Sequence, residues 1–406
     1  MSKFRILVKI TGSIAAYKSA QIISKLVQNN CEVKTVITPS ALQFIGKATL
    51  EGLTNNIVYS DVFELSEMMS HIDLNKWADL IIVIPATGNT INKFAAGIAD
   101  NLLTSLFLSR DESKPYLIAP AMNTNMYNHP ATQESLKTLK KWGVKILPTD
   151  EGYLACGDTG RGKLLNLDKI FGYIFNELNR VNRKKFSVLV TGGATIESID
   201  NTRYVSNLST GRTACTIADG FYLNGANVTL IKSKTAVSPK FDFSIKEFDS
   251  FLSLRTILES EIKKNHYDLV IHSAAISDYS PISIEHEGSK LQLPLISKTS
   301  FSTDQIKITF KKNEKLVNNI KEWFENNHII LIAFKFLNSY QDKRKEDELR
   351  KIFRMSKADG IVFNSFDNRK KGKQYNFELI SLDGLKSRCE TVEDLSNALI
   401  NKWMKQ

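Results

Sequence analysis

Cysteine is scarce and scattered. The four, Cys31, Cys156, Cys215 and Cys389, form no C-x-x-C pair, which argues against a disulfide framework or a zinc cluster and fits reduced thiols. No apolar run reaches the roughly 18 residues needed to cross a bilayer. The opening MSKFRILVKITGS resembles a secretory leader only as far as Lys9, which breaks the apolar run. It reads instead as the first strand of a cytoplasmic protein with no membrane partner. G-x-G-x-x-G is absent, and Thr38 stands where a nicotinamide enzyme would end its second strand on an acid, so a dehydrogenase ranks low. Aromatic–basic interleaving and nucleic-acid reader motifs are missing too. The formal net charge of +11, about +3 up to Arg180 and about +8 after it, is therefore read as solvated helix faces, or as a field for anionic small molecules, and not as a nucleic-acid surface.

What is present is alternation. Short apolar runs (FRILVKI, EVKTVIT, ADLIIVIPA, PYLIAPA, GVKILP) alternate with helical stretches, the pattern of a parallel sheet covered on both faces. NTINKFAAGIADNLLTSLFLS reads as helix interrupted near Asp100–Asn101. After the polar connector NRVNRKK the series restarts with FSVLVTGG, NVTLIKS, YDLVIHSAA, IILIAFKF and ADGIVFN. The chain of 406 residues is therefore expected to hold two doubly wound, Rossmann-like α/β domains, 1–180 and 186–406. Asp278 to Lys312 lacks helical spacing and reads as strands with an excursion loop.

Ligands of open α/β sheets sit beyond the carboxyl ends of the strands. There the first domain carries TGSIAAYK, PATGNTINKFAAGIADN and APAMNTNMYNHP. Together with HIDLNKWADL and ACGDTGRGKL, these motifs resemble the FMN-dependent cysteine decarboxylase family. Within it they resemble the phosphopantothenoylcysteine decarboxylases of bifunctional coenzyme A biosynthesis proteins. The resemblance implies a flavodoxin-like domain in which flavin oxidises the substrate thiol to a thioaldehyde. That group becomes the electron sink for loss of CO₂. It places the base or orienting group at His71, the carboxylate grip at Asn123 and the proton donor to the enethiol at Cys156. Met122 packs by the flavin edge. Gly12, Ser13, Thr38, Ser40, Thr87, Asn89 and Asn101 are the further flavin contacts it implies. An amide suits Asn123's task because it holds a carboxylate without a charge that would oppose its departure. Taken singly, such a histidine is a cap, such a cysteine core filler and such an asparagine a turn former; their company in these motifs points to chemistry. Lys163 departs from the arginine usual in the family, keeping a point charge but not a bidentate fork.

The second domain's VLVTGGATIESIDNTRYVSNLSTGR, with SAAISDYS and AFKFLN, resembles the ligase half of the same bifunctional family. The resemblance implies an acyl-cytidylate made from CTP and 4′-phosphopantothenate, with Mg²⁺ and release of pyrophosphate, which cysteine's amine then attacks. It places Asn207 on the acyl-nucleotide and Lys290 on developing negative charge. Gly192, Gly193, Gly211, Asp278, Phe334, Lys351 and Lys357 are placed at the nucleotide, with Arg212 opening a helix toward an anion; the metal ligands are unassigned. Thr213–Ala214 replace the usual Met-Gly, Leu337 replaces an acid, and the two lysines before ADGIV stand at unusual spacing. The expectation is one enzyme that ligates and then decarboxylates, giving 4′-phosphopantetheine. The resemblance also implies a homo-oligomer of trimeric decarboxylase and dimeric ligase units, up to a dodecamer. The alternatives are a flavin decarboxylase with a degraded ligase domain and a non-enzymatic FMN-binding regulator.

Overall fold

The structure, a computed structural model, describes residues 4–61, 70–153, 157–181, 184–286, 289–296, 305–324, 329–337, 342–365, 368–370 and 373–405. It divides into two units, Met1–Arg183 and Lys184–Gln406. Among the described residues no helix is long and apolar enough to cross a membrane.

The first unit runs β1 (Arg5–Ile10), α1 (Tyr17–Gln28), β2 (Glu32–Ile37), α2 (Lys47–Thr54), β3 (Val58–Tyr59), α3 (Ser70–Trp77), β4 (Leu80–Ala86), α4 (Gly88–Ala95), α5 (Leu102–Leu108), β5 (Tyr116–Pro120), α6 (Thr124–Asn128), α7 (Pro130–Lys141), β6 (Lys145–Ile146), β7 (Asp150–Tyr153), β8 (Thr159–Lys163) and α8 (Leu167–Arg180). All seven residues of β4 are buried, as a strand covered on both faces requires. The parallel sheet has the order β3-β2-β1-β4-β5-β6. Strand order reverses between β1 and β4, and that is where a doubly wound sheet opens a crevice. In α1, Ile22, Ile23 and Leu26 form the buried stripe, at helical spacing. The interruption expected near Asp100–Asn101 is real: α4 stops at Ala95, and Asn101 starts α5 with a reciprocal capping box to Thr104.

Lys9 is fully buried in β1. Its Nζ lies 3.2 Å from the Tyr116 hydroxyl and 5.0 Å from the ring centre. Burial, reinforced by Arg110, drives its ammonium strongly toward the neutral amine.

The second unit runs β9 (Ser187–Gly192), β10 (Ile196–Ser198), β11 (Tyr204–Ser206), α9 (Arg212–Leu223), β12 (Asn227–Ser233), β13 (Ser244–Phe248), α10 (Phe251–Lys264), β14 (Leu269–His272), β15 (Tyr279–His286), β16 (Ser289–Gln292), β17 (Lys307–Lys312), α11 (Leu316–Trp323), β18 (Ile330–Leu337), α12 (Asp342–Ser356), β19 (Gly360–Ser365), β20 (Arg369–Lys370), β21 (Lys373–Gln374), β22 (Phe377–Ser381), β23 (Lys386–Cys389) and α13 (Val392–Trp403). Its eight-stranded sheet has the order β13-β12-β9-β14-β18-β19-β22-β23. The order reverses between β9 and β14. Side chains of α9 and α13 join one core, and those of α10 and α11 join the other. The sheet is parallel through β19, but β22 and β23 run antiparallel. The short turn between these two, with Gly384 at φ +83°, joins antiparallel neighbours only. The stretch from Asp278 to Lys312 forms a separate antiparallel sheet, β16-β15-β17, in keeping with its lack of helical spacing.

Candidate active sites

In the first unit a single hydroxyl joins the two sides of the crevice. Thr11 Oγ1 donates to the Pro85 carbonyl at 2.7 Å and accepts from the Thr87 N–H at 3.0 Å. Gly12 follows; a Cβ there would stand 2.4 Å from Ser40 Oγ, so a bare residue is what lets the loops after β1 and β2 touch. Ser13 caps the following 3-10 turn through the Ala15 N–H, and Thr38 Oγ1 and Ser40 Oγ lie 3.1 Å apart. Thr87 caps α4 and leaves Asn89 exposed in the first turn. Gly88 is buried with its would-be Cβ 3.3 Å from Met122 Sδ. Gly12, Ser13, Thr38, Ser40, Thr87, Asn89 and Met122 thus all stand at the carboxyl ends of β1, β2, β4 and β5. Asn101 is engaged differently, capping α5 and donating Nδ2 to Asp100 at 3.0 Å.

Asn123 caps α6, its Oδ1 accepting from the Asn125 N–H at 2.7 Å and its Nδ2 3.4 Å from Asp158. The β7–β8 hairpin lies directly on this loop. The Met122 N–H donates to the Gly162 carbonyl at 2.9 Å, and Thr124 Oγ1 donates to the Arg161 carbonyl at 2.8 Å. Gly162 has φ +117°, and a Cβ there would stand 2.4 Å from the Met122 carbonyl oxygen; one at Gly160 would stand 2.5 Å from Thr124 Oγ1. These glycines, with Asp158 and Thr124, were missed in the sequence, although the alternating G-x-G of TGRGK carries the signal of close backbone approach. Lys163 ends β8 with its Nζ beside Gly152. Cys156, and the side chain of His71 in α3, lie outside the described residues.

The second unit has a cleft of about 1780 Å³ at the carboxyl ends of its strands, bordered by Gly193, Asn207, Gly211, Asp278, Phe334 and Lys351 together. Gly192, Lys290 and Lys357 do not border it. Gly192 instead permits packing, since a Cβ there would fall 2.1 Å from Ala214 Cβ. Lys290 lies exposed on β16 opposite Glu285, and Lys357 lies exposed after α12 at φ +54°. The side chain of Leu337 lies outside the described residues. Gly193 and Gly211 adopt φ +86° and +71°, open to glycine without strain. Gly211 starts α9, so that helix presents its amino end to the cleft beside Arg212, a favourable place for an anion. Lys315 pairs with Asp278, and Lys335 with Glu348 at 2.9 Å.

Other motif residues build the loop that carries Asn207. Asp200 accepts from the N–H groups of Thr202 and Arg203 at 2.8 and 2.7 Å, and Arg203 Nε donates to it at 2.8 Å. The Arg203 hydrogen bond foremost holds its carboxyl far below the usual range. Glu197 accepts from the Phe251 N–H and from Ser280 Oγ. Cys215 is buried in α9, and burial pushes its thiol up to about 11; it is not a nucleophile. Among the described residues no group of three or more His, Cys, Asp or Glu side chains could hold a metal.

Two family models match in tandem: Flavoprotein over residues 1–179, and DNA/pantothenate metabolism flavoprotein C-terminal domain over 183–402. The coenzyme A biosynthesis bifunctional protein CoaBC of Haemophilus influenzae is 31% identical over 414 residues, covering 98% of each chain. That of Bacillus subtilis is 36% identical over 321 residues, covering 77% of this chain and 78% of its own. A crystal structure of the DNA/pantothenate metabolism flavoprotein from Streptococcus pneumoniae is 27% identical, with a TM-score of 0.47, covering 54% of this chain and 99% of that one. With both halves matched in order and one relative aligned almost end to end, this chain belongs to the CoaBC family of bifunctional coenzyme A biosynthesis enzymes, which combine a decarboxylase with a ligase.

Proposed function

We propose that the ligase unit joins cysteine to 4′-phosphopantothenate at the expense of CTP, and that the first unit binds FMN and decarboxylates the resulting 4′-phospho-N-pantothenoylcysteine to 4′-phosphopantetheine. The observation that carries the decarboxylase reading is the docking of the β7–β8 hairpin on the Met122–Asn123 loop at the end of β5. It brings Asp158 and the Arg161 carbonyl onto the loop that carries the amide expected to grip the substrate.

The crevice suits FMN. Gly12 leaves the β1 turn bare, Ser13, Thr38, Ser40 and Thr87 offer hydroxyls to phosphate and ribityl oxygens, and Met122 offers a polarizable surface to a ring. When bound, FMN supplies the two-electron oxidation of the substrate's thiol-bearing carbon and the returning hydride. Asn123 holds the carboxylate by hydrogen bonds and adds no positive charge that would stabilise it against loss as CO₂. Cys156 gives its thiol proton to the carbon of the enethiolate left behind, and His71 orients or deprotonates the substrate thiol.

In the ligase cleft a carboxylate oxygen of 4′-phosphopantothenate attacks the α-phosphorus of CTP, and the bond to pyrophosphate breaks. The amine of cysteine then attacks the acyl carbon, CMP leaves, and the amine proton passes to solvent. The amino end of α9, Arg212 and Lys351 offset phosphate charge, Phe334 and Asp278 flank the nucleotide, and Asn207 holds the acyl-nucleotide. Mg²⁺ would offset phosphate charge and be held by one or two carboxylates; Asp219, Asp278, Glu314, Glu348 and Glu393 border the cleft. Lys290, outside the cleft of its own unit, acts in this reading only across a ligase dimer, in a cytoplasmic homo-oligomer with trimeric decarboxylase units.

The deciding experiment gives the purified protein phosphopantothenate, cysteine and either CTP or ATP, and follows pyrophosphate, CO₂ and product masses. The expected result is a yellow protein that releases pyrophosphate with CTP and forms phosphopantetheine. Pyrophosphate without CO₂ would remove the decarboxylase reading; CO₂ from supplied phosphopantothenoylcysteine without pyrophosphate would remove the ligase reading.

A further inference from the structure

His272 ends β14 at the point where the strand order of the second sheet reverses, and it borders the cleft. It is nearly fully buried, at 6% exposure. Its Nδ1 lies 3.0 Å from Thr191 Oγ1, and that oxygen also accepts the Ala274 N–H at 3.3 Å. Thr191 is itself fully buried, so its hydroxyl hydrogen needs an acceptor. Among the described residues the one within reach is His272 Nδ1. An Nδ1 that accepts must leave the ring's proton on Nε2. Among the described residues Nε2 has no protein partner, and it is not among the sealed, unbonded polar atoms; it is the nitrogen left for a ligand. Burial pushes the imidazole down to about 4, so the ring is uncharged at neutral pH.

The neighbours of His272 indicate which ligand. In register it is flanked by Thr191 on β9 and Ala333 on β18. The first leads through Gly192 to the Gly193 turn, and the second leads to Phe334. Both Gly193 and Phe334 border the cleft and are read above as nucleotide contacts. We infer that His272 is a specificity residue of the ligase site: Thr191 locks it as the Nε2–H tautomer, and it donates an uncharged hydrogen bond to an acceptor atom of the bound nucleoside triphosphate. The inference rests on the nucleotide reading of this cleft. A neutral donor there fixes orientation without adding to the positive charge already supplied by Arg212 and the lysines, so it serves recognition more than bulk attraction.

The test is calorimetric titration of the full-length protein with CTP, and separately with phosphopantothenate. His272→Leu removes the donor; His272→Gln restores an N–H near the position of Nε2; Thr191→Val keeps the ring but releases its proton from Nε2. Loss of one hydrogen bond to a polar or charged acceptor weakens binding by about tenfold or more. The expected results are that loss for CTP in His272→Leu, affinity within about threefold of the parent in His272→Gln, an intermediate loss in Thr191→Val, and unchanged phosphopantothenate affinity. Equal CTP affinity in His272→Leu and the parent overturns the inference and leaves the nucleotide reading standing. Equal losses in the Leu and Gln variants, with parent-like melting temperatures, make the role one of packing and also overturn it. A parent protein that binds no CTP sinks the nucleotide reading itself. Should His272→Leu fail to fold, Thr191→Val and His272→Gln decide on the same criteria.

Discussion

Both units carry a threonine followed by glycine at the carboxyl end of their opening strand, Thr11–Gly12 just after β1 and Thr191–Gly192 closing β9. In each, the threonine hydroxyl accepts an N–H from the loop after the neighbouring strand, Thr87 at 3.0 Å and Ala274 at 3.3 Å. The units differ in where that hydroxyl donates. In the first it closes on a backbone carbonyl, Pro85 at 2.7 Å, and the crevice is left to amides, hydroxyls and a thioether. In the second it meets an imidazole, in a cleft bordered by Arg212, Lys315, Lys335 and Lys351. On the proposed function, the same strand-end device would serve opposite electrostatic needs. A departing carboxylate is best held without fixed positive charge, whereas a triphosphate must have its charge offset.

The sharpest way to break this comparison is Asn123→Asp. Like-charge repulsion at the carboxylate should cut CO₂ release on the order of 100-fold or more and leave CTP-dependent pyrophosphate release at the parent rate. If both rates fall together, the two sites do not work separately. Gly162→Ala comes next, adding a Cβ 2.4 Å from the Met122 carbonyl oxygen at φ +117°. It should lift the hairpin from the Asn123 loop and lower decarboxylation by roughly 10- to 100-fold, with flavin absorbance and ligase rate kept. Ionic strength sharpens the contrast more gently. Raising it should increase KM for CTP a few-fold by screening the cationic cleft, while kcat for decarboxylation holds steady.

A last effect, on stability and not on rate, concerns a lysine that the first unit hides. The ammonium of Lys9 is disfavoured by burial when folded, but the group titrates near 10.4 when unfolded. Between those values the unfolded chain binds more protons. Stability is therefore lost as pH falls from about 10 toward the folded value, and is fully present only above the unfolded one. Lys9→Met should raise the melting temperature of the first unit, by a stability on the order of 2 kcal/mol at neutral pH. The gap between variant and parent should widen from pH 10 to pH 7. A constant gap in thermal melts would show that the amine is not the cause.

Much of this was legible in the sequence for one reason: strands buried on both faces are unbroken apolar runs, and ligands gather at their ends. That rule brought Gly12, Thr87, Asn123, Gly193, Gly211 and Phe334 to the carboxyl ends of strands. It missed β3, because two residues carry no pattern. It missed the β7–β8 hairpin, because DEGY and TGRGK are polar and rich in glycine, with no apolar alternation. Glu197, Asp200 and Arg203 matched a motif, yet Asp200 and Arg203 bond each other and Glu197 bonds Phe251 and Ser280, and spacing alone does not separate a brace from a contact. Lys290 and Lys357 were placed by counting positions in stretches whose spacing departs from the family, and neither borders the cleft. His272 stood in the strand-end stretch HSAAISDYS, but nothing in the sequence set it apart, because its proposed role depends on a hydroxyl 81 positions away in the chain.

Two of the lysines that border the second cleft are paired. Lys315 is already paired with Asp278, and Lys335 with Glu348. On the nucleotide reading, an arriving triphosphate would trade places with these two carboxylates. Such an exchange would spare those two lysines mutual repulsion before the nucleotide arrives, and would free the displaced acids for a hydrated divalent ion carried in with the phosphates.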